Sequence, residues 1–480
     1  MKPVELHNPW IRENRFRGRF FLWDLDGRRL PFPPTNFLIV GEKVAPGRGV
    51  AFSLHRGAPR PPRFLRRELF TDPATGQRFE LCSRPNPVVD LVPYFQKDGR
   101  LFVLGKQGFP RPLVNAAPDS PNLDVATVAG YLTEPLSAQR PAATELTLDE
   151  AAAILGERAG LAPGCVAAVQ PGLRYFTSPG GLNERVTASL IELRLDDGGE
   201  LPLPDEAPNY SGFAAAGRVR PLDARQLLRA AQVGGLLDAR LELNTHHLLR
   251  ARGEPLGPWI GAEIVLCEQP TRPGLRSAAS LDALLRPPAV ARFVPCPPEP
   301  EARFLEVSAV EIHEHDSAGR VLARSELELV VPKPVSCSTV SLLPVVRAGG
   351  VDYVGLELRD LPAVQAATGS SRILTCPAWR LPRSVLDLEQ AEAHALRCLA
   401  DQFATHARRA WPLGGKYYPA AGATPEVVYP LAAEIDVESV PGSGLHWLPV
   451  AAVVAERAQI RDGHLLIALL RLSHALEPVG

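Results

Sequence analysis

The chain has 480 residues, too many for a single hydrophobic core, so two or three domains are expected. With 45% hydrophobic residues, 22% charged residues and a net charge of −1, it has an ordinary globular composition, which argues against a nucleic-acid binder. No run of about 18 apolar residues predicts a membrane span, and no apolar targeting segment opens the chain. Seven scattered cysteines, none in a C-x-x-C pair, predict reduced thiols and a cytoplasmic location.

Residues 1–70 are basic, with 14 Lys/Arg against 6 Asp/Glu, and the remainder carries a net −9. RENRFRGR (12–19) and RPPRFLRRE (60–68) lie in this part. They read either as a solvated surface docked on the acidic remainder or as an arm for an acidic partner. FFLWDLDGRRLPF (20–32) predicts a strand pair turning at Asp26-Gly27. DLVPYFQKDGRLFVLGKQGFPRPL (90–113) predicts a hairpin turning at Asp98-Gly99. After ATVAGYL (126–132), Ala and Leu at helical spacing predict a helix over 148–159. YFTSPGGLNERVTASLIEL (175–193) predicts a turn at Pro179-Gly180 running into a strand, and VGGLLDARLELNTHHLL (233–249) a closing helix. Residues 252–300, rich in Pro and Gly, read as a linker.

The same order then recurs. FLEVSAVEIHEHDSAGRVLARSELELVV (304–331) predicts a strand pair, in the role of 20–32. SLLPVVRAGGVDYVGLELRDLPAV (341–364) repeats the hairpin, with its turn at Gly349-Gly350. TCPAWRL (375–381) stands for ATVAGYL, 388–404 for the helix, and YYPAAGATPEVVYPLAAEI (417–435) for the turn and strand. This last pair of stretches shares Tyr175/Tyr417, Gly180/Gly422, Glu184/Glu426, Val186/Val428 and Glu192/Glu434 without a gap. RAQIRDGHLLIALLRLSHAL (457–476) repeats the closing helix, with Asp462 matching Asp238 near its start. A duplicated unit follows.

Glu145, seven residues and then Ala153-Ile154-Leu155-Gly156-Glu157-Arg158-Ala159-Gly160-Leu161 resembles the Nudix box G-x5-E-x7-R-E-U-x-E-E-x-G-U. So does Glu389 followed by Arg397-Cys398-Leu399-Ala400-Asp401-Gln402. ATVAGYL and YFTSPGGLNE further resemble the E-L-P-A-G and aromatic-x-S-P-G-x-x-x-E pieces of the ADP-ribose and ADP-sugar pyrophosphatase branch. The resemblance covers roughly 80–250 and 330–480. It implies an α/β (α+β) fold of two Nudix-like α/β/α sandwich units with mixed sheets, each with an N-terminal β extension, arranged as a pseudo-dimer. The expected divisions are 1–80 (extension), 81–252 (first unit), 253–335 (linker and second extension) and 336–480 (second unit).

In the family, three carboxylates on one face of the box helix gather Mg²⁺ on a diphosphate. Here those positions are Ile154, Glu157 and Arg158 in the first unit, and Cys398, Asp401 and Gln402 in the second. The box glycine is matched to Gly130, with nine extra residues before Glu145, and to Trp379. No metal is expected; Glu157 and Asp401 are the residual candidates, and Mg²⁺ enters only if the first half hydrolyses, through Glu145, Glu157 and Glu184. Ligand contacts are expected from Arg158, Arg174, Tyr175, Glu184, Lys416, Tyr417 and Glu426. The rings read equally as packing under the sheet, and the glutamates as strand-entry carboxylates.

His313-Glu314-His315-Asp316 reads as a solvated hairpin end, and Cys398 as a small buried thiol. The sequence therefore predicts a cytoplasmic, bacterial-type pseudoenzyme binding a nucleotide or nucleotide-sugar ligand, a protein partner, or both, and existing as a monomer. The alternatives are a Mg²⁺-dependent hydrolase of an ADP-ribose-like substrate and a structural subunit of a larger assembly.

Overall fold

A computed structural model describes residues 51–56, 62–107, 132–140, 145–196, 199–203, 213, 219–275, 281–286, 292–297, 301–315, 318–333 and 335–477, with backbone alone for 51–56. The segments 12–19, 20–32 and 126–131, including Gly130, lie outside these residues, as does Asp316. The fold is mixed α+β with mixed sheets.

Two small sheets lead in. One combines β1 (Ala51–Arg56) with β13 (Leu305–His315) and β14 (Val321–Pro332); the other combines β2 (Arg66–Thr71) and β3 (Arg78–Ser83) with β12 (Val294–Cys296). The first large sheet holds β4 (Val88–Lys97), β5 (Arg100–Gln107), β8 (Val166–Phe176), β9 (Arg185–Leu193) and β10 (Val219–Asp223), ordered β10-β5-β4-β9-β8. The short strands β6 (Thr133–Glu134) and β7 (Leu136–Gln139) pair with β5 and β4. The two-residue turn Asp98-Gly99 has both φ positive, at 51° and 70°, as the right-handed twist of a hairpin demands. β4 runs parallel to β9 and is buried from Val88 to Phe95, which explains its nearly unbroken apolar sequence.

Helix α1 (Leu148–Ala159) begins at a capping box, Thr147 with Glu150, and ends on left-handed Gly160. Ala151, Ala152, Leu155 and Ala159 form its buried stripe, packed on Leu91, Leu104, Leu136 and Ile191. Helices α2 (Ala224–Gln232) and α3 (Ala239–Ala251) cover the other face, where Leu227, Leu241 and Leu248 meet Val92, Val103 and Leu190.

The second large sheet repeats the first. Here β15 (Ser338–Ala348) and β16 (Val351–Asp360) form the hairpin, β17 (Arg372–Thr375) and β18 (Ala378–Arg380) the short strands, and β19 (Ala407–Pro412), β20 (Val427–Ile435) and β21 (His446–Pro449) the rest. β15 is parallel to β20, β19 pairs with β20, β17 and β21 pair with β16, and β18 pairs with β15, as their counterparts do. A two-residue strand, β11 (Glu268–Gln269), adds to β15. Among the helices, α4 (Leu281–Leu284) lies in the connection and α5 (Pro362–Thr368) follows β16. The box-like helix is α6 (Leu388–Phe403), capped by Asp387, and α7 (Val450–Ala455) and α8 (Gly463–Leu476) close the chain. Asp238 and Asp462 are the N-caps of α3 and α8, so both helices start later than the apolar periodicity predicts.

Strand register corrects two of the sequence matches. Ala138 lies opposite Val89, and Trp379 lies opposite Val340; Glu134 lies opposite Lys106, and Thr375 opposite Glu357. The counterpart of TCPAW is therefore Glu134-Pro135-Leu136-Ser137-Ala138, not ATVAG. The connections ahead of the two segments differ in length, and a short A-rich resemblance slid along them. Residues 20–32 lie outside the described residues, and among the described ones Arg63–Ser83 forms a hairpin of the same kind as the second lead-in. Arg63-Phe64-Leu65 and Arg303-Phe304-Leu305 each open a hairpin, and the match is visible in the cross-contacts. The Glu328 carboxylate accepts from the amides of Arg63, Phe64 and Leu65 at 2.5, 2.7 and 2.7 Å. The Glu80 carboxylate accepts from Arg303, Phe304 and Leu305 at 2.7, 2.9 and 2.7 Å.

The large units meet through equivalent surfaces used reciprocally. Phe176 N donates to Arg461 O, and Tyr418 N donates to Leu237 O, both at 2.7 Å. Phe176 bridges to Asp462 as Tyr418 does to Asp238. This is the signature of an isologous, two-fold contact, here inside one chain. One core cluster runs through both units, joining Tyr175, Val186 and Leu243 to Tyr417, Val428 and Leu469.

Candidate functional site

At the C-terminal end of α1, Glu157 and Arg158 sit half-exposed, 3.4 Å apart in a weak surface pair. Between them and the sheet lies Lys106, on β5. Its ammonium donates to Arg158 O at 3.0 Å, a last-turn carbonyl that a cation favours. Burial and the Arg158 guanidinium depress its pKa, while Glu134 and Glu157 pull it back up, so the lysine stands among both carboxylates. Glu134 also lies 4.0 Å from Arg240. A divalent metal would need several oxygen donors here, and the site offers two carboxylates crowded by three cations. Magnesium does not fit this donor set. Glu145 stands apart, paired with Arg174 at 2.7 Å on the surface.

On α6 the corresponding positions carry Cys398, Asp401 and Gln402. Gln402 Oε1 accepts from Trp379 Nε1 at 3.0 Å, so an indole lies beside this face of the helix. Cys398 Sγ is 3.5 Å from His394 Nε2, and burial raises the thiol's pKa and lowers that of the imidazole. Asp401 is exposed. Two hard oxygen donors beside an indole and a thiol do not make a magnesium site either.

The loop glutamates lie deeper. Glu184 is 3% exposed and Glu426 2%, too enclosed to act on a ligand in solvent. Each has an arginine, drawn from a different place: Arg84, just beyond β3, at 2.9 Å from Glu184, and Arg380, on β18, at 3.2 Å from Glu426. Thr339 Oγ1 also donates to Glu426 at 2.8 Å. Burial pushes the Glu426 pKa up, but Arg380, His464, Ser178 and Thr339 outweigh it and hold the carboxylate ionised. A cavity of about 20 Å³ beside it, lined by Ser178, Leu182, Leu305, Val330 and Arg380 among others, has room for about one water. No hydrogen bond or ion pair joins Glu184 to Glu145 or Glu157 among the described residues.

Tyr175 and Tyr417 are both buried in the shared core. The Tyr417 hydroxyl lies 3.0 Å from His464 Nδ1. The Tyr175 hydroxyl has no hydrogen-bond partner among the described residues and faces a buried polar group of Asp90, Arg240, Asp238 and Glu184. Within that group Asp90 accepts from Ser137 at 2.7 Å and from Asn244 at 3.3 Å, and lies 3.3 Å from Arg240. Burial raises the Asp238 pKa to about 7 against the attraction of Arg240. Lys416 is buried near the start of the second loop. His313 and His315 have ring centroids 6.1 Å apart, and no trio of His, Cys, Asp or Glu among the described residues is placed to hold a metal.

The sequence reading missed Lys106, Glu134, Asp90, Arg240, Arg84 and Arg380. Glu134 offered only its own carboxylate as a signal, since E-P-L-S-A shares just the leading glutamate with E-L-P-A-G, whereas ATVAG shares the closing Ala-Gly. The others come together only through strand register and the contact between halves, which no local pattern encodes. No protein-family model matches the chain, and no curated protein matches it.

Proposed function

We propose that the chain is a tandem of two Nudix-like units, related to the ADP-ribose/ADP-sugar pyrophosphatase branch, in which hydrolysis has been lost and binding retained. Its units correspond to residues 81–252 and 336–480, with β extensions before each. The ligand is a nucleotide or nucleotide-sugar, held by accessible cations such as Arg158 and Arg174.

One observation carries this reading. The Lys106 ammonium stands among Glu134 and Glu157, where a hydrolase of this kind would gather magnesium. Reinforcing it, both loop glutamates are consumed in buried ion pairs, and a buried pair is not free to take a proton from water.

The test combines calorimetric titration of ADP-ribose with an AMP-release assay. Binding without turnover, unchanged by Mg²⁺, is the expected result. Mg²⁺-dependent AMP release that Glu157→Gln abolishes would establish a working hydrolase and overturn the proposal.

A further inference from the structure

The two halves provide an internal comparison. At each of the two reciprocal junctions, an aromatic residue at the end of one unit's strand is held by the segment preceding the other unit's closing helix. At one junction the residues are Leu237, Tyr418 and Val427, packed as an apolar cluster. At the other, the same places hold Arg461, Phe176 and Arg185. Identical backbone contacts thus form without any charge, so packing does not require the arginines.

Sheet geometry gathers them. Arg185 lies directly opposite Phe176, and Arg174 opposite Thr187, so Arg174 and Arg185 are diagonal neighbours on one face, roughly 7–8 Å apart at Cα. Arg461 enters from the other side, its carbonyl accepting from Phe176 N. Phe176 itself packs on Leu361, Val364 and Ile373 of the second half. Arg185 follows it there, where NH1 donates to Ala367 O at 3.0 Å and Nε is buried with no hydrogen-bond partner. Neither Arg185 nor Arg461 forms an ion pair with a carboxylate among the described residues; Arg174 has Glu145. The neighbouring Asp462 turns its carboxylate onto His464 N at 2.9 Å. Like-charge repulsion from Arg461 and Arg174, after burial, depresses the Arg185 pKa.

We propose that Arg174, Arg185 and Arg461 form an anion site at this junction that takes a phosphoryl or diphosphoryl group of a small ligand. Guanidinium groups bind phosphate oxygens bidentately and, unlike lysine, keep their charge when crowded. A dianion seated between them relieves the mutual repulsion. The identity of the ligand as a nucleotide rests on the function proposed above; the anion site does not.

Calorimetric titration with inorganic pyrophosphate and, separately, ADP-ribose tests it on the full chain. Wild-type protein is expected to bind both, more weakly as salt rises. Arg461→Gln, at an exposed position, and Arg185→Gln are each expected to weaken binding about tenfold, with thermal unfolding used to confirm folded protein. Arg272→Gln, which lies in a separate surface pair with Glu438, is expected to leave binding unchanged. Pyrophosphate binding that Arg461→Gln and Arg185→Gln leave intact, or no pyrophosphate binding at all, overturns the site. Pyrophosphate binding without ADP-ribose binding keeps the site and removes the nucleotide reading.

Discussion

Asp238 illustrates how much one buried carboxyl can govern. It caps α3, accepting from Leu241 N at 2.8 Å, in a setting that lifts its pKa from the ordinary carboxylate value to about 7. A carboxyl raised in the folded state binds a proton there that the unfolded chain has already released. Its contribution is therefore favourable in acid and is lost as pH rises from about 4 to 7. Asp238→Asn keeps the cap acceptor and removes the titration. Unfolding temperatures measured at pH 5 and pH 7.5 are expected to differ less in this variant than in wild type; an equal difference would rule out this role for Asp238. No local pattern in the sequence announces such a residue. The sequence placed Asp238 and Asp462 near the start of helices and not as their caps, and the burial of Asp238 depends on Asp90, Glu134 and Tyr418, which arrive from elsewhere in the chain.

At the scale of elements, legibility followed length and local period. The β4–β5 and β15–β16 hairpins, α1 and α6 were readable because their turns and stripes are local. The match between Tyr175–Leu193 and Tyr417–Ile435 was readable because it has no gap. The short strand ahead of the box-like helix was misplaced, since the preceding connections differ in length. The paired Arg-Phe-Leu openings escaped notice because three residues carry little signal until Glu80 and Glu328 are seen gripping them. Each of these carboxylates binds three successive amides of the other lead-in. Glu328→Ala is expected to leave the amides of Arg63, Phe64 and Leu65 without acceptors and to cost about 1.5–3 kcal/mol. Hydrogen exchange reads this directly: protection should fall at 63–65 and persist at 303–305. Unchanged protection at 63–65 would contradict the grip.

At the scale of the whole molecule, the duplication has internalised an interface. Its equivalent surfaces are already satisfied by each other, so nothing in the two-fold contact calls for a second chain. Light scattering is expected to give one chain's mass, 51.9 kDa, at micromolar concentration; twice that mass would place the pairing between chains instead. The largely apolar β4 and β15 and their hairpin turns made the architecture readable in outline. The pairing of halves had to be seen in the reciprocal hydrogen bonds of Phe176 and Tyr418.

Two similar halves in one chain are free to differ at matching places. Arg471 and Glu242 form a fully enclosed, bidentate pair between α8 and α3 at 2.6 and 2.7 Å, and Arg471 NH1 also donates to the carbonyls of Leu413 and Gly415. The mirror positions hold His247 and Leu466. Two identical subunits would be obliged to write every substitution twice across their axis, so such lopsided lettering is open only to a joined gene. With this pair in place, neither half can take the other's position in the contact.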